Sequence, residues 1–403
     1  MPATLSLTET LIETEERYGS HNYAPLDVVL ERGEGVYVWD VEGRRYMDFL
    51  AAYSAVNQGH NHPRIAEALV RQAHKLALTS RAFRNDVLPP LLEKLCRLTG
   101  FDRALLMNSG AEAVETAIKA ARKWGYDRKD IPYPEAEIVV FAGNFHGRTT
   151  TIVGFSSDPD SRSRFGPFSP GFVSVPYGDL AAARAAITPR SCAVLVEPVQ
   201  GEAGIIIPER GFLRGLRALC DERGVLLLLD EIQSGLGRTG RLFAFEHEGI
   251  RPDGVTIGKA LSGGFYPVSA FLASEDVMSV FTPGIHGSTY GGNPLACAVA
   301  SAALDVILDE RLVERAAELG SQLSARLAML RSPKIREVRS IGLWAGVELV
   351  PEAGGARPYC LALKERGLLC KDTHGSTIRL APPLVITRDQ LDWAVDQLAA
   401  VLA

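Results

Sequence analysis

Cysteine is scarce in this chain and shows no pairing pattern. Six occur among 403 residues, at positions 96, 192, 220, 297, 360 and 370, with no CxxC and no metal-like spacing. That excludes a disulfide scaffold, and contexts such as SCAVLVEP predict buried free thiols in a reducing compartment. No apolar run approaches the ~18 residues of a membrane span. Charged residues make up 23% and the net charge is −5, so neither nucleic acid nor an anionic membrane surface finds a concentrated basic face. Low-complexity tracts and internal repeats are missing too. The acidic N-terminal stretch MPATLSLTETLIETEERYG lacks both the apolar core of a secretory signal and the arginine-rich character of a transit peptide. The expectation is a cytoplasmic enzyme that holds small anionic substrates with a few placed arginines.

What is present is a large apolar fraction, 46%, enough for a sizeable core and two to three domains. Residues 35–49, GVYVWDVEGRRYMDF, alternate apolar and polar around a VEGR turn and read as a β-hairpin. From about residue 60 helical patterns alternate with short apolar runs. Segment 110–125 carries Ala113, Val114, Ala117, Ile118, Ala121 and Trp124 at helical spacing, with Ser109 and Glu112 as a capping box. The runs EIVVFAG (137–143), CAVLVEP (192–198), VLLLLDE (225–231), GVTIG (254–258) and PVSAFLA (267–273) predict a mainly parallel sheet buried on both faces. A long helix follows Pro294. The fold class is therefore α/β: a large domain over 59–302, and a smaller α+β domain built from 1–58 and 303–403.

Asp230 and Glu231 end one apolar run, and ligands of open α/β sheets collect at such carboxyl ends. Taken alone, two strand-end acids are ordinary surface groups. Lys259, in GVTIGKALSGG, follows another apolar run. A surface loop is the commonest place for a lysine. A phosphate-binding loop fails here, because three residues separate the glycines and alanine follows the lysine. An amine and a carboxylate at two strand ends do suit pyridoxal phosphate. That cofactor needs an amine as covalent anchor and a carboxylate to keep its ring nitrogen protonated. The same amine can move a proton once its pKa is lowered by burial.

DEIQSGLGRTG, IGKALSGGFYPVSA and GSTYGGNPLACAVA resemble the class III aminotransferases. GSHNYAPL, YSAVNQGHNHP, GNFHGRT, EPVQGEAG and THGSTIRLAPPLVI narrow the resemblance to the ornithine-specific branch of that family, from about Tyr18 to Leu384. The resemblance implies fold type I, pyridoxal 5'-phosphate and a homodimer with shared active sites. It implies Lys259 as covalent anchor, Asp230 at the pyridinium nitrogen, Gln233 near the phenolic oxygen and Phe145 on the ring face. Gly110 and Ala111 would offer backbone N–H groups to the phosphate at a helix start. Ser288 and Thr289 would reach the partner subunit's phosphate.

Arginine grips carboxylates with two parallel hydrogen bonds. By resemblance Arg148 takes the α-carboxylate of ornithine and the far carboxylate of 2-oxoglutarate, while Arg379 takes the α-carboxylate of 2-oxoglutarate. Glu202 would gate Arg379, pairing with it while ornithine is bound and swinging aside for the keto acid. Tyr23 and Tyr53 would frame the ornithine head, and Tyr23 in HNYAP points to free ornithine. The implied reaction moves the δ-amine of ornithine to 2-oxoglutarate, giving glutamate 5-semialdehyde, which cyclises, and glutamate. Acetylornithine or 4-aminobutyrate enzymes would share the cofactor set, and a silent cofactor-binding regulator is the reading from another class. His60 and His62 lack a third ligand, so no metal is expected. His146 is not fixed in the family and receives no role, and His286 and His374 carry no independent signal.

Overall fold

The alternating segment near the N-terminus folds as expected. Strands β1 (Leu30–Glu34), β2 (Tyr37–Asp40) and β3 (Arg45–Asp48) form an antiparallel meander. Asp40 closes the β2–β3 turn by accepting from Glu42 and Arg44 backbone N–H groups at 3.1 and 2.8 Å. This computed structural model describes residues 5–403; the first four residues of the acidic N-terminal stretch lie outside them. The helix Leu7–Tyr18 starts at a Ser6–Glu9 capping box and buries none of its residues.

The central sheet comprises β4 (Arg103–Met107), β5 (Glu137–Phe141), β6 (Phe172–Val175), β7 (Ser191–Val196), β8 (Leu226–Asp230), β9 (Gly254–Ile257) and β10 (Ser269–Ala273). Its order is β4-β10-β9-β8-β7-β5-β6. β10 runs antiparallel to both neighbours, and the other six strands point one way. The apolar runs are continuous because both faces are covered. Val194, Val196, Leu227 and Leu229 pack into one core, while Ala193, Leu195, Leu226 and Leu228 pack into another on the opposite face. The helix Gly110–Asp127 belongs to the second side, through Val114, Ala117, Ile118 and Ala121.

The helix Pro294–Asp309 runs without a break across residue 302. Beyond it lie β11 (Ile335–Ser340), β12 (Ala345–Leu349), β13 (Leu368–Leu369), β14 (Lys371–Thr373) and β15 (Thr377–Leu380). β11, β12, β15 and β14 form an antiparallel sheet, whereas β13 pairs in parallel with β3. One four-stranded sheet is thus made from both ends of the chain. Among the described residues, no helix is long and apolar enough to cross a membrane.

Candidate active site

Six parallel strands bring their carboxyl ends to one edge of the sheet, and chain reversals there carry the polar groups. Asp230 ends β8, Glu197 follows β7, and Phe145 and His146 follow β5. Lys259 follows β9, and the helix beginning at Gly110 follows β4. Gly110, Phe145, Asp230, Gln233 and Lys259 line one cavity of about 190 Å³.

The two acids of the DE pair diverge. Glu231 turns inward, accepting from Ser234 Oγ at 2.6 Å and from the N–H groups of Ala244 and Phe245. Burial raises its pKa to about 7. It is a structural clamp for the following segment. Asp230 faces the cavity and is fixed from behind: Oδ1 accepts from Ile232 N at 3.1 Å and Thr256 Oγ1 at 3.2 Å, and Oδ2 lies 2.7 Å from His146 Nδ1. Burial alone would hold the His146 pKa down, but its bond to Asp230 and that acid's charge outweigh this and raise it. Glu197, behind Phe145, accepts from the Phe145 N–H at 3.0 Å. Burial pushes its pKa up to about 8. His146 and Glu197 are the two buried site groups that the sequence reading left without roles. A strand-end position, the criterion that singled out Asp230, would have flagged Glu197; nothing in the sequence links His146 to an acid 84 residues away.

Lys259 is enclosed by protein while part of its surface faces the cavity, and its backbone holds a left-handed φ of 44°. Burial lowers its pKa; Glu202, Asp230 and Glu197 oppose this and Arg379 adds to it. The expected capping box forms at the helix start, with Glu112 N to Ser109 Oγ at 3.3 Å and Ser109 N to Glu112 Oε2 at 2.7 Å. Helix geometry leaves the N–H groups of Gly110 and Ala111 without acceptors inside the helix, at its positive end. A side chain at 110 would sit 3.0 Å from Ile232, so glycine permits the close approach.

A second cavity of about 330 Å³ shares Phe145 and holds Arg148 and Glu202. Arg379 is 1% exposed, with its guanidinium 5.1 Å from the Tyr53 ring centroid and 5.8 Å from that of Trp344. Its Nη1 donates to Glu202 Oε1 at 2.7 Å, while Nε and Nη2 are buried and have no partner among the described residues. The cationic surroundings, Arg379 first, hold the Glu202 carboxyl below its usual range against the opposing effect of burial. Tyr23 is 71% exposed and lines a third cavity with Tyr53, and Arg148 is not among its lining residues. Ser288 accepts from Asn108 Nδ2 at 2.8 Å within the same chain, beside the helix start, and Thr289 is exposed.

These residues fit pyridoxal phosphate. A buried amine, a carboxylate backed by a histidine, an aromatic ring and unpaired helix N–H groups surround one cavity. Arg379 keeps two donors that a substrate carboxylate could take. The family model for aminotransferase class-III matches residues 18–402. The ornithine aminotransferase of Bordetella pertussis is 60% identical over 403 residues, covering 100% of this chain and 97% of that relative. The crystal structure of the ornithine aminotransferase from Toxoplasma gondii ME49 superposes with a TM-score of 0.97 at 44% identity, over 99% of this chain and 96% of that one. That of the acetylornithine aminotransferase from Elizabethkingia anophelis gives 0.90 at 50% identity, over 99% of each chain. The family-model match over residues 18–402 and relatives aligned along nearly their whole length show that the chain belongs to the class III aminotransferases.

Proposed function

We propose that the protein transfers the δ-amino group of L-ornithine to 2-oxoglutarate, giving glutamate 5-semialdehyde, which cyclises to pyrroline-5-carboxylate, and glutamate. The observation that carries this reading is the buried Arg379–Glu202 pair at 2.7 Å beside the Lys259 cavity. An α-amino acid would need Arg379 free. An ω-amine, positively charged at the end that reacts, needs Arg379 neutralised. An acid of 26% side-chain exposure over an arginine of 1% would satisfy both substrates by pairing with Arg379 for one and swinging aside for the other.

When bound, pyridoxal phosphate supplies an electron sink for the carbon that carries the transferred amine. Lys259 would anchor it, and as a buried amine of lowered pKa it is suited to take and return a proton at that carbon. Asp230, held by Thr256, Ile232 N and His146, would keep the ring nitrogen protonated. Phe145 would cover the ring, Gln233 would donate to its phenolic oxygen, and Gly110 and Ala111 would hold its phosphate. Arg148 would bind the ornithine α-carboxylate at the far end, with Tyr23 and Tyr53 framing that head group.

The homodimer belongs to the same proposal. Ile285 and Tyr290, beside Ser288 and Thr289 in the chain, are exposed apolar residues, and so are Leu76 and Phe83. Their segments are tied together, Leu295 N donating to Ala77 O at 3.3 Å and Asn85 Nδ2 to Gly292 O at 3.4 Å. An apolar surface of this kind marks a partner-binding face. A cytoplasmic location and a place between arginine catabolism and proline biosynthesis complete the reading, supported by free cysteines, five of the six buried. Acetylornithine is the second donor to consider, because the Elizabethkingia enzyme is 50% identical. A panel of ornithine, acetylornithine, 4-aminobutyrate and lysine with 2-oxoglutarate separates them. Ornithine should have the highest kcat/KM; a preference for acetylornithine would overturn the assignment.

A further inference from the structure

Lys371 lies on β14 directly opposite Arg379 on β15, so the two cations share one face of the sheet. Like charges in that register repel, and something must stand between them. Two groups do. Glu202 takes Arg379 Nη1, and the Tyr53 ring lies against the Arg379 guanidinium while its phenol oxygen accepts from Lys371 Nζ at 3.3 Å. The backbone of Tyr53 is unusual as well. Ala51, Ala52, Tyr53 and Ser54 all have φ between 46° and 73°, a left-handed run without glycine. The run is held by Asp48 Oδ1, which accepts from Leu50 N and Ala51 N at 2.8 and 2.9 Å, and by Gln233 Nε2 on Tyr53 O at 3.4 Å. These contacts act on the backbone around Tyr53, and none of them touches its ring. The hydroxyl needs its own anchor for the ring to stay on Arg379.

We propose that Lys371 is a positioning residue for substrate recognition: its ammonium holds the Tyr53 phenol and so keeps the ring between the substrate cavity and Arg379. The inference rests on reading the cavity that Tyr23, Tyr53 and Lys371 line as the substrate end of the site. A lysine suits the task because its flexible stem presents a charged donor without stacking on the ring itself. The charge also bears on Glu202, whose carboxyl is kept ionised by Arg379, Lys259 and, to a smaller extent, Lys371. Losing Lys371 would let the ring rotate, widen the pocket and weaken the grip on the amine donor. The chemistry at Lys259 would be left in place.

A double-mutant cycle tests this. Lys371→Met and Tyr53→Phe are made singly and together in the holoenzyme, with cofactor content and circular dichroism checked for each. Each single change should raise KM for ornithine by about three- to tenfold, with kcat within about twofold, because each removes the same hydrogen bond to a charged group. The double variant should be no worse than either single one, and Lys371→Arg should recover part of the loss. Losses that multiply in the double variant, or that fall on kcat alone, would overturn the role. If the parent enzyme prefers another donor, the cycle is run with that donor, so failure of the ornithine assignment and failure of the Lys371 assignment give different results.

Discussion

Glu202 is the residue on which the two-substrate account turns. Its carboxylate is the partner of Arg379 Nη1, and among the described residues nothing pairs with the remaining Arg379 nitrogens. Removing it leaves a buried, uncompensated guanidinium facing the δ-ammonium of ornithine, which is costly for that substrate and harmless for a carboxylate. In Glu202→Ala the single-turnover rate with ornithine should fall by about ten- to a hundredfold, while that with glutamate stays within about threefold. Equal losses in both half-reactions would make Glu202 a structural acid. At this scale the sequence is informative where chemistry and position coincide. Lys259 and Asp230 stand at the ends of apolar runs, so a place at the carboxyl edge of the sheet could be read from the pattern. His146 and Lys371 could not be read this way, since their partners lie 84 and 318 residues away and only folding brings them together.

The elements set how tightly the site is packed. The reversal after β7 brings Gly201 against Gln233 and Trp344, where an added Cβ would lie 2.1 Å from Gln233 Oε1 and 2.6 Å from Trp344 Cζ2. Gly201→Ala must therefore displace the Gln233 amide from the cavity. Cofactor affinity should drop by about tenfold or more with the fold retained; unchanged affinity in a titration of cofactor into the variant would show that Gln233 does not contribute to the cavity as described. The central strands were legible because β5, β7, β8, β9 and β10 are almost wholly buried, so each reads as an unbroken apolar run. β4 and β6 escaped the same reading. They flank the sheet, are only partly buried, and carry Arg103 and Ser174 within four- or five-residue runs. A continuous apolar run marks a strand covered on both faces, and these two edge strands lack it.

For the whole molecule, Thr289 and Tyr23 are exposed on a single chain, and both belong to the site by resemblance. A second copy would bring Ser288 and Thr289 of each chain to the other's phosphate. Mixing Lys259→Ala chains with Thr289→Ala chains then gives hybrids in which one site carries both defects and the other carries neither. About a quarter of the sites should recover full function at equal mixing; no recovery despite proven hybrids would place Thr289 outside the shared site. The proposed reaction moves the side-chain nitrogen of ornithine and leaves the α-nitrogen in place. Ornithine labelled with ¹⁵N at the δ position, and separately at the α position, tests that claim most directly, with nitrogen followed into glutamate by mass spectrometry. Label should reach glutamate from the δ position only, with pyrroline-5-carboxylate as the other product. Transfer from the α position, or no transfer from ornithine at all, would contradict the account.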